Sequence, residues 1–134
     1  MSTYKRLVLL NILNDLYPDT PIACGTTYKS IILYKKQSLV PEETITSRYP
    51  DYLQQHNLSI LRKIRIQKLA LSDKYVLPDY PFSDDAIKQA WLAYRQSLRD
   101  ITTTYPNPDT DINDDLIGVV WPIPPNAAPI STGS

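Results

Sequence analysis

The stretch SDDAIKQAWLAYRQSLRDITTTYPNPDTDINDDLIGVVWPIPP, Ser83 to Pro125, decides the fold. Ile87, Trp91, Tyr94, Leu98 and Ile101 recur at steps of four and three, so they line one face of a helix. Ser83 is placed to cap that helix, with Asp84 and Asp85 in a first turn that favours negative charge. Phe82 and Ile87 have the spacing of a hydrophobic staple. Thr102 to Thr104 and then Pro106 are expected to end the helix. The Trp-Tyr seam reads first as packed core. Arg95 and Arg99 flank it, either as solvated stems over the aromatics or as a fork for a carboxylate or a buried carbonyl. An acidic linker follows, PNPDTDINDD, and then a tryptophan-proline segment that permits only extended geometry.

Upstream of this core the chain alternates short elements with turns. Tyr4 to Tyr17 places Leu9, Ile12, Leu13 and Leu16 at helical spacing, with Thr3 as cap and Pro18 as stop. Leu7, Val8 and Leu10 widen that apolar face, which therefore needs a cover, another subunit being one candidate. Pro18 to Thr27 is turn-rich, and YKSIILY, Tyr28 to Tyr34, reads as a strand able to pair with Ile22 to Cys24. Pro41-Glu42-Glu43 opens a helix that Pro50 should interrupt, and a second helical stretch runs from about Asp51 to Leu71. Residues 72–80 form a connector containing Pro78. The expected fold is mainly α with a small β element: an N-terminal helix, a short hairpin, a helical hairpin clip and an extended proline-rich arm. The expected organisation is an N-terminal interaction region (1–50), the helical hairpin module with its Trp-Pro strap (51–125) and an extended tail (126–134).

Composition narrows the function. Fourteen basic and fourteen acidic residues leave no net charge among 134 residues, so no global field drives binding to nucleic acid. Arg62, Lys63, Arg65 and Lys68 form a basic run without interleaved aromatics; it reads as a solvated face or as partners for Asp84, Asp85 and Asp100. Ten tyrosines and two tryptophans suit interfaces. The apolar run Leu7 to Leu10 is far too short to span a membrane, and no signal peptide is apparent, so a cytosolic product or part of an assembly is expected. The single Cys24 makes no internal disulfide and fits a reducing compartment.

Reaction chemistry is not visible. His56 sits in a polar stretch, Cys24 has no recognisable histidine partner motif, and Gly25, Gly118 and Gly133 are isolated, so no phosphate loop exists. Asp109, Asp111, Asn113 and Asp115 alternate like the front of a calcium loop. Asp114 and Val120 stand where its glycine and bidentate glutamate belong, which favours a plain acidic linker. No catalytic residue, metal or cofactor is expected.

The segment ILRKIRIQKLALSDKYVLPDYPFSDDAIKQAWLAYRQSLRDI, followed by a variable loop and VVWPIPP, resembles the phage tail assembly chaperone family. The matching residues are Arg62 or Arg65, Leu69, Ser72, Asp73, Asp79, Trp91, Tyr94, Arg95, Gln96, Leu98, Arg99, Asp100, Trp121, Pro122 and Pro125. Lys74 stands where that family usually has tryptophan, and the loop from Thr102 to Gly118 is longer than usual. The resemblance implies a non-enzymatic viral assembly protein whose partners are tail, fibre or capsid subunits, with nucleic acid and membrane not expected. It implies tail assembly, with action in the host cytoplasm; residence in the virion as a minor structural component is the alternative reading. A nucleic-acid-binding accessory factor is the reading from another class. The residues expected to carry structure and partner binding are Trp91, Tyr94, Arg95, Leu98, Arg99, Asp100, Trp121, Pro122 and Pro125. The expected geometry is a strap: Trp121 and its prolines fold back on Trp91 and Tyr94, Arg95 or Arg99 bonds carbonyls of the returning arm, and Asp100 orders the Arg pair.

Overall fold

A computed structural model of the chain describes residues 2–82 and 85–125. The expected cap at Ser83, the charge at Asp84 and the tail 126–134 lie outside those residues. The chain is mainly helical with short antiparallel strands, and it divides into two compact units, Met1–Asn57 and Leu58–Ser134.

In the first unit, helix α1 (Arg6–Leu16) buries Val8, Leu9, Ile12 and Leu13, the paired i, i+4 positions that its sequence places on one face. Its start is not capped by Thr3. Lys5 occupies the cap position and makes no capping bond there, because Thr3 is drawn into a β-bridge with Thr27 and the Tyr4 N–H donates to the Thr26 carbonyl at 2.7 Å. Strands β1 (Ile22–Ala23) and β2 (Ile32–Leu33) pair antiparallel, Ile22 opposite Leu33 and Ala23 opposite Ile32. The hairpin is where the pattern put it, but the second strand is shorter than Tyr28 to Tyr34. Residues Tyr28–Ser30 form a 3₁₀ turn instead. The Ser30 hydroxyl accepts from the Gly25 N–H at 2.8 Å and donates to the Thr27 carbonyl at 2.6 Å, so a local side-chain bond takes the backbone away from the ladder.

The wide apolar face of α1 is covered from within the unit, not by another subunit. Tyr4, Cys24 and Ile45 join the buried side chains of α1, with Tyr49, Tyr52 and Leu53 packed around them. Tyrosine hydroxyls close the rim: Tyr49 accepts from the Lys5 N–H at 2.8 Å, Tyr52 donates to Asp15 at 2.5 Å, and Tyr28 donates to the Val40 carbonyl at 2.5 Å. Leu7 remains exposed.

Helix α2 (Glu42–Ser72) runs through Pro50 without a break. A proline there removes one i→i−4 bond and crowds the preceding turn, at a cost of about 3 kcal/mol. Tyr49, Tyr52 and Leu53, on either side of it, are anchored in the core of the first unit, and that anchoring outweighs the local penalty.

In the second unit, the C-terminal half of α2 ends in a 3₁₀ turn, Asp73–Val76. Helix α3 (Asp85–Arg99) follows, and after a break at Asp100 (φ −85°, ψ 0°) comes the single turn α4 (Ile101–Thr104). The threonines therefore prolong the helical path by one turn after Asp100 instead of ending it, and Pro106 lies beyond Tyr105, which closes α4. Arg65 reaches the Arg99 carbonyl while Arg95 reaches the Leu69 carbonyl. Position rises on one helix as it falls on the other, so α3 returns antiparallel along α2. Strands β3 (Asp109–Thr110) and β4 (Leu116–Ile117) form a hairpin, and the chain then continues extended through Trp121 to Pro125.

Candidate functional site

The second unit has two neighbouring apolar clusters. One holds Leu58, Leu61 and Ile101, with Tyr105, Leu116, Val119 and Trp121 against it. The other holds Trp91, Tyr94 and Leu98, with Leu69, Tyr75, Phe82, Ile87 and Trp121 against it. Trp121 belongs to both, so the returning arm is pinned by its indole across the helical pair. Phe82 and Ile87 both pack on the second cluster, as a staple would.

Trp91 is the centre of an aromatic stack. Its ring lies 4.0 Å from Tyr75 at 12°, and meets Tyr94 edge-on at 5.6 Å and 89°. Tyr75 in turn meets Tyr80 at 5.1 Å. The indole N–H of Trp91 and the hydroxyl of Tyr80 are buried without hydrogen-bond partners. Burial pushes the Tyr94 hydroxyl above its usual tyrosine range.

Arg95 is the polar tie. Its guanidinium donates to the Leu69 carbonyl at 2.9 Å, the Ser72 hydroxyl at 2.7 Å and the Asp73 carboxylate at 2.8 Å. A helix leaves its last carbonyls without internal partners, and Arg95 fills that need at the end of α2. The fork thus grips both a carbonyl and a carboxylate, but those of α2 and its 3₁₀ turn, not those of the returning arm. Arg99 does not reach the arm either: it donates to Gln96 at 3.1 Å. Asp100 accepts from Gln96 at 3.0 Å, so it touches the Arg pair only through that amide. In the basic run, Arg65 donates to the Arg99 carbonyl at 3.2 Å, and the Lys68 ammonium lies 5.3 Å above the Trp121 ring. The expected pairing of the run with aspartates of the next helix gives way, at these two positions, to a carbonyl and a ring.

Two hollows flank this frame. A groove of about 290 Å³ is lined by Lys68, Leu71, Ser72, Tyr75, Trp91, Tyr94 and Pro124. A shallower one of about 410 Å³ is lined by residues that include Asp100, Ile101, Tyr105, Val120, Trp121 and Pro122. Beside them Val120 and Ile123 on the arm are 76% and 87% exposed. Pro122 and Pro125 are half-buried, so the arm has an inner and an outer side. Sequence reasoning missed Lys68 and Tyr75 as parts of this site. Tyr75 lies in a 3₁₀ turn, where no helical period announces a stacking partner.

The calcium-like run forms the β3–β4 hairpin. The Asp111 carboxylate accepts from the Asn113 N–H at 2.8 Å and the Asp115 N–H at 3.0 Å, an Asx-type turn. Asp114 sits at φ 63°, the left-handed position that follows a type I turn in three-residue hairpin loops. Among the described residues no group of three His, Cys, Asp or Glu side chains converges on a metal position. Cys24 lies buried in the first unit, its thiol pushed up by burial and only partly pulled back by Arg6. That environment favours the protonated thiol over a nucleophilic thiolate.

The second unit is thus a pair of helices tied by an arginine and crossed by an extended aromatic strap. Residues 58–126, just over half of the chain, match the family model described as phage tail assembly chaperone protein. The chain belongs to the phage tail assembly chaperone family. Membership implies a role in phage tail assembly in the host cell, among phage tail proteins, in a family that is generally non-enzymatic. No curated protein and no solved structure matches the chain.

Proposed function

We propose that the chain is a non-enzymatic tail-assembly chaperone that holds a phage tail subunit against the outer side of its strap. One observation carries this reading: the family match begins at Leu58, the residue at which the second compact unit also begins, and runs to the end of the strap. The family's defining stretch is therefore a self-contained clip. In this reading Trp91, Tyr94, Leu98 and Arg95 are its frame. Trp121, Pro122 and Pro125 fix the strap, and Arg99 and Asp100 stand exposed at its rim. The contact itself is made by the exposed apolar side chains Val120 and Ile123, which have no role in the frame. Residues 58–125 act as the assembly module and residues 1–57 as a second interaction region, a boundary seven residues later than the expected 50/51 because Tyr52 and Leu53 pack in the core of the first unit.

The test is capture of tail proteins from phage-infected cells by the tagged full chain, compared with the Val120→Asp, Ile123→Asp double variant. Burial of two aliphatic side chains supports at least a tenfold affinity difference, on the order of 2 kcal/mol or more. The expected result is capture of a tail subunit by the parent chain and at least tenfold less by the variant, with unchanged circular dichroism. Equal capture by both chains overturns the assigned surface. Mass spectrometry of purified particles supplies the second arm: absence from particles fits a transient chaperone, whereas stoichiometric presence replaces that reading with a minor virion component.

A further inference from the structure

The β3–β4 hairpin and the groove at Trp91 have complementary chemistry, and both lie in the second unit. The hairpin register sets Asp109 opposite Ile117 and Thr110 opposite Leu116, leaving Ile112, Asn113 and Asp114 as the loop. That loop is firmly built. The Asp111 N–H donates to the Asp115 carbonyl at 2.9 Å, the Asp114 N–H donates to the Asp111 carbonyl at 3.1 Å, and the Asp111 carboxylate holds two further backbone amides. At its tip Ile112 is 93% exposed, the most exposed of the large apolar side chains among the described residues. Asp109, Asp111, Asp114 and Asp115 surround it in sequence. A rigid acidic prong with a branched aliphatic point is an unusual thing to leave in water.

The groove is its counterpart. Leu71, Tyr75, Trp91 and Pro124 supply apolar wall, and Leu71 is itself 78% exposed. Lys68 stands on the rim, and the Lys74 ammonium lies 4.9 Å above the Tyr75 ring. The nearby Arg95–Asp73 pair is neutral as a pair, which leaves Lys68 and Lys74 as the cations the groove offers. A volume of about 290 Å³, on the order of ten water molecules, takes one branched side chain with its flanking backbone. The chain as a whole carries no net charge, so two copies approach without long-range repulsion.

We infer that copies of this chain join head to tail, the hairpin of one seating Ile112 in the Trp91 groove of the next while its aspartates face Lys68 and Lys74. Prong and groove are different patches, so the contact is heterologous and propagates into a ring or a stack unless two copies exchange prongs. One aliphatic anchor and a few exposed ion pairs give a weak contact, in the range of about 10 to 1,000 μM, that becomes effective only when several copies are gathered. The inference is independent of the proposed function, because it uses neither Val120 nor Ile123.

Sedimentation velocity on the full chain tests it, with two single variants at exposed positions, Ile112→Asp on the prong and Leu71→Asp in the groove. The parent chain is expected to self-associate across that concentration range, more weakly as salt is raised. Each variant is expected to remain monomeric with an unchanged circular dichroism spectrum. An equimolar mixture of the two variants retains one intact prong and one intact groove per pair, and is expected to form a one-to-one dimer that grows no further. A parent chain that stays monomeric overturns the inference, as does association that survives Ile112→Asp, or a mixture of variants that fails to pair.

Discussion

At the scale of single residues, Arg95 decides how the second unit is closed. Its side chain is 13% exposed, whereas that of its partner Asp73 is 65% exposed, so the ion pair is largely screened. The bonds to the Leu69 carbonyl and the Ser72 hydroxyl matter more: the Ser72 hydroxyl still donates to the Leu69 carbonyl at 2.8 Å without Arg95, but both oxygens lose a charged donor at a site where Ser72 is buried. Arg95→Ala is expected to destabilise the chain by about 2 kcal/mol, and Asp73→Asn by under about 1 kcal/mol, in urea unfolding. An Asp73→Asn loss as large as that of Arg95→Ala would contradict this ranking. The sequence marked Arg95 as a fork for a carbonyl or a carboxylate, and it is one. The spacing did not reveal which carbonyl, since the unsatisfied end of a helix attracts a donor by proximity in space. The side chain of Arg99, four residues on and equally basic, donates to Gln96 on its own helix instead.

At the scale of elements, the informative disagreement is Pro50. Local rules end a helix there, yet α2 continues from Glu42 to Ser72, because Tyr49, Tyr52 and Leu53 are fixed by the core of the first unit. The helix keeps the backbone cost of the ring, so Pro50→Ala is expected to stabilise the chain by about 1 to 3 kcal/mol. Calorimetry checks this as a rise in the melting temperature; a fall would mean that the proline ring itself contributes packing. The seam Ile87, Trp91, Tyr94, Leu98 and Ile101 was legible from its period alone, and Trp91, Tyr94, Leu98 and Ile101 are buried. The strand over Tyr28 to Tyr34 was not, because β-branched content says nothing of the Ser30 hydroxyl that turns the backbone at Tyr28–Ser30. Tyr75 and Lys68 were invisible for a related reason. Their roles depend on which ring lies above them, which no interval in the sequence encodes.

At the scale of the whole molecule, the family's matched stretch begins where the second unit begins and lies within it, and the first unit has a core of its own. The class of fold and the family were readable from the Trp91–Asp100 run and the Trp121–Pro125 arm. The surface proposed to meet a partner was not, because the sequence singled out side chains for their aromatic or charged character and the buried ones among them form the frame. The exposed outer positions, Val120 and Ile123, look unremarkable in a string of letters and acquire meaning only once Trp121 is pinned inward. The outer side of the strap is proposed to hold a tail subunit. The most direct measurement is site-specific photocrosslinking in phage-infected cells, with the photoreactive residue placed at Ile123 in one full chain and at the exposed Leu7 in another. The account predicts a crosslink from position 123 to a tail protein that is absent or much weaker from position 7. Labelling of the same tail protein from position 7, with none from position 123, would contradict it.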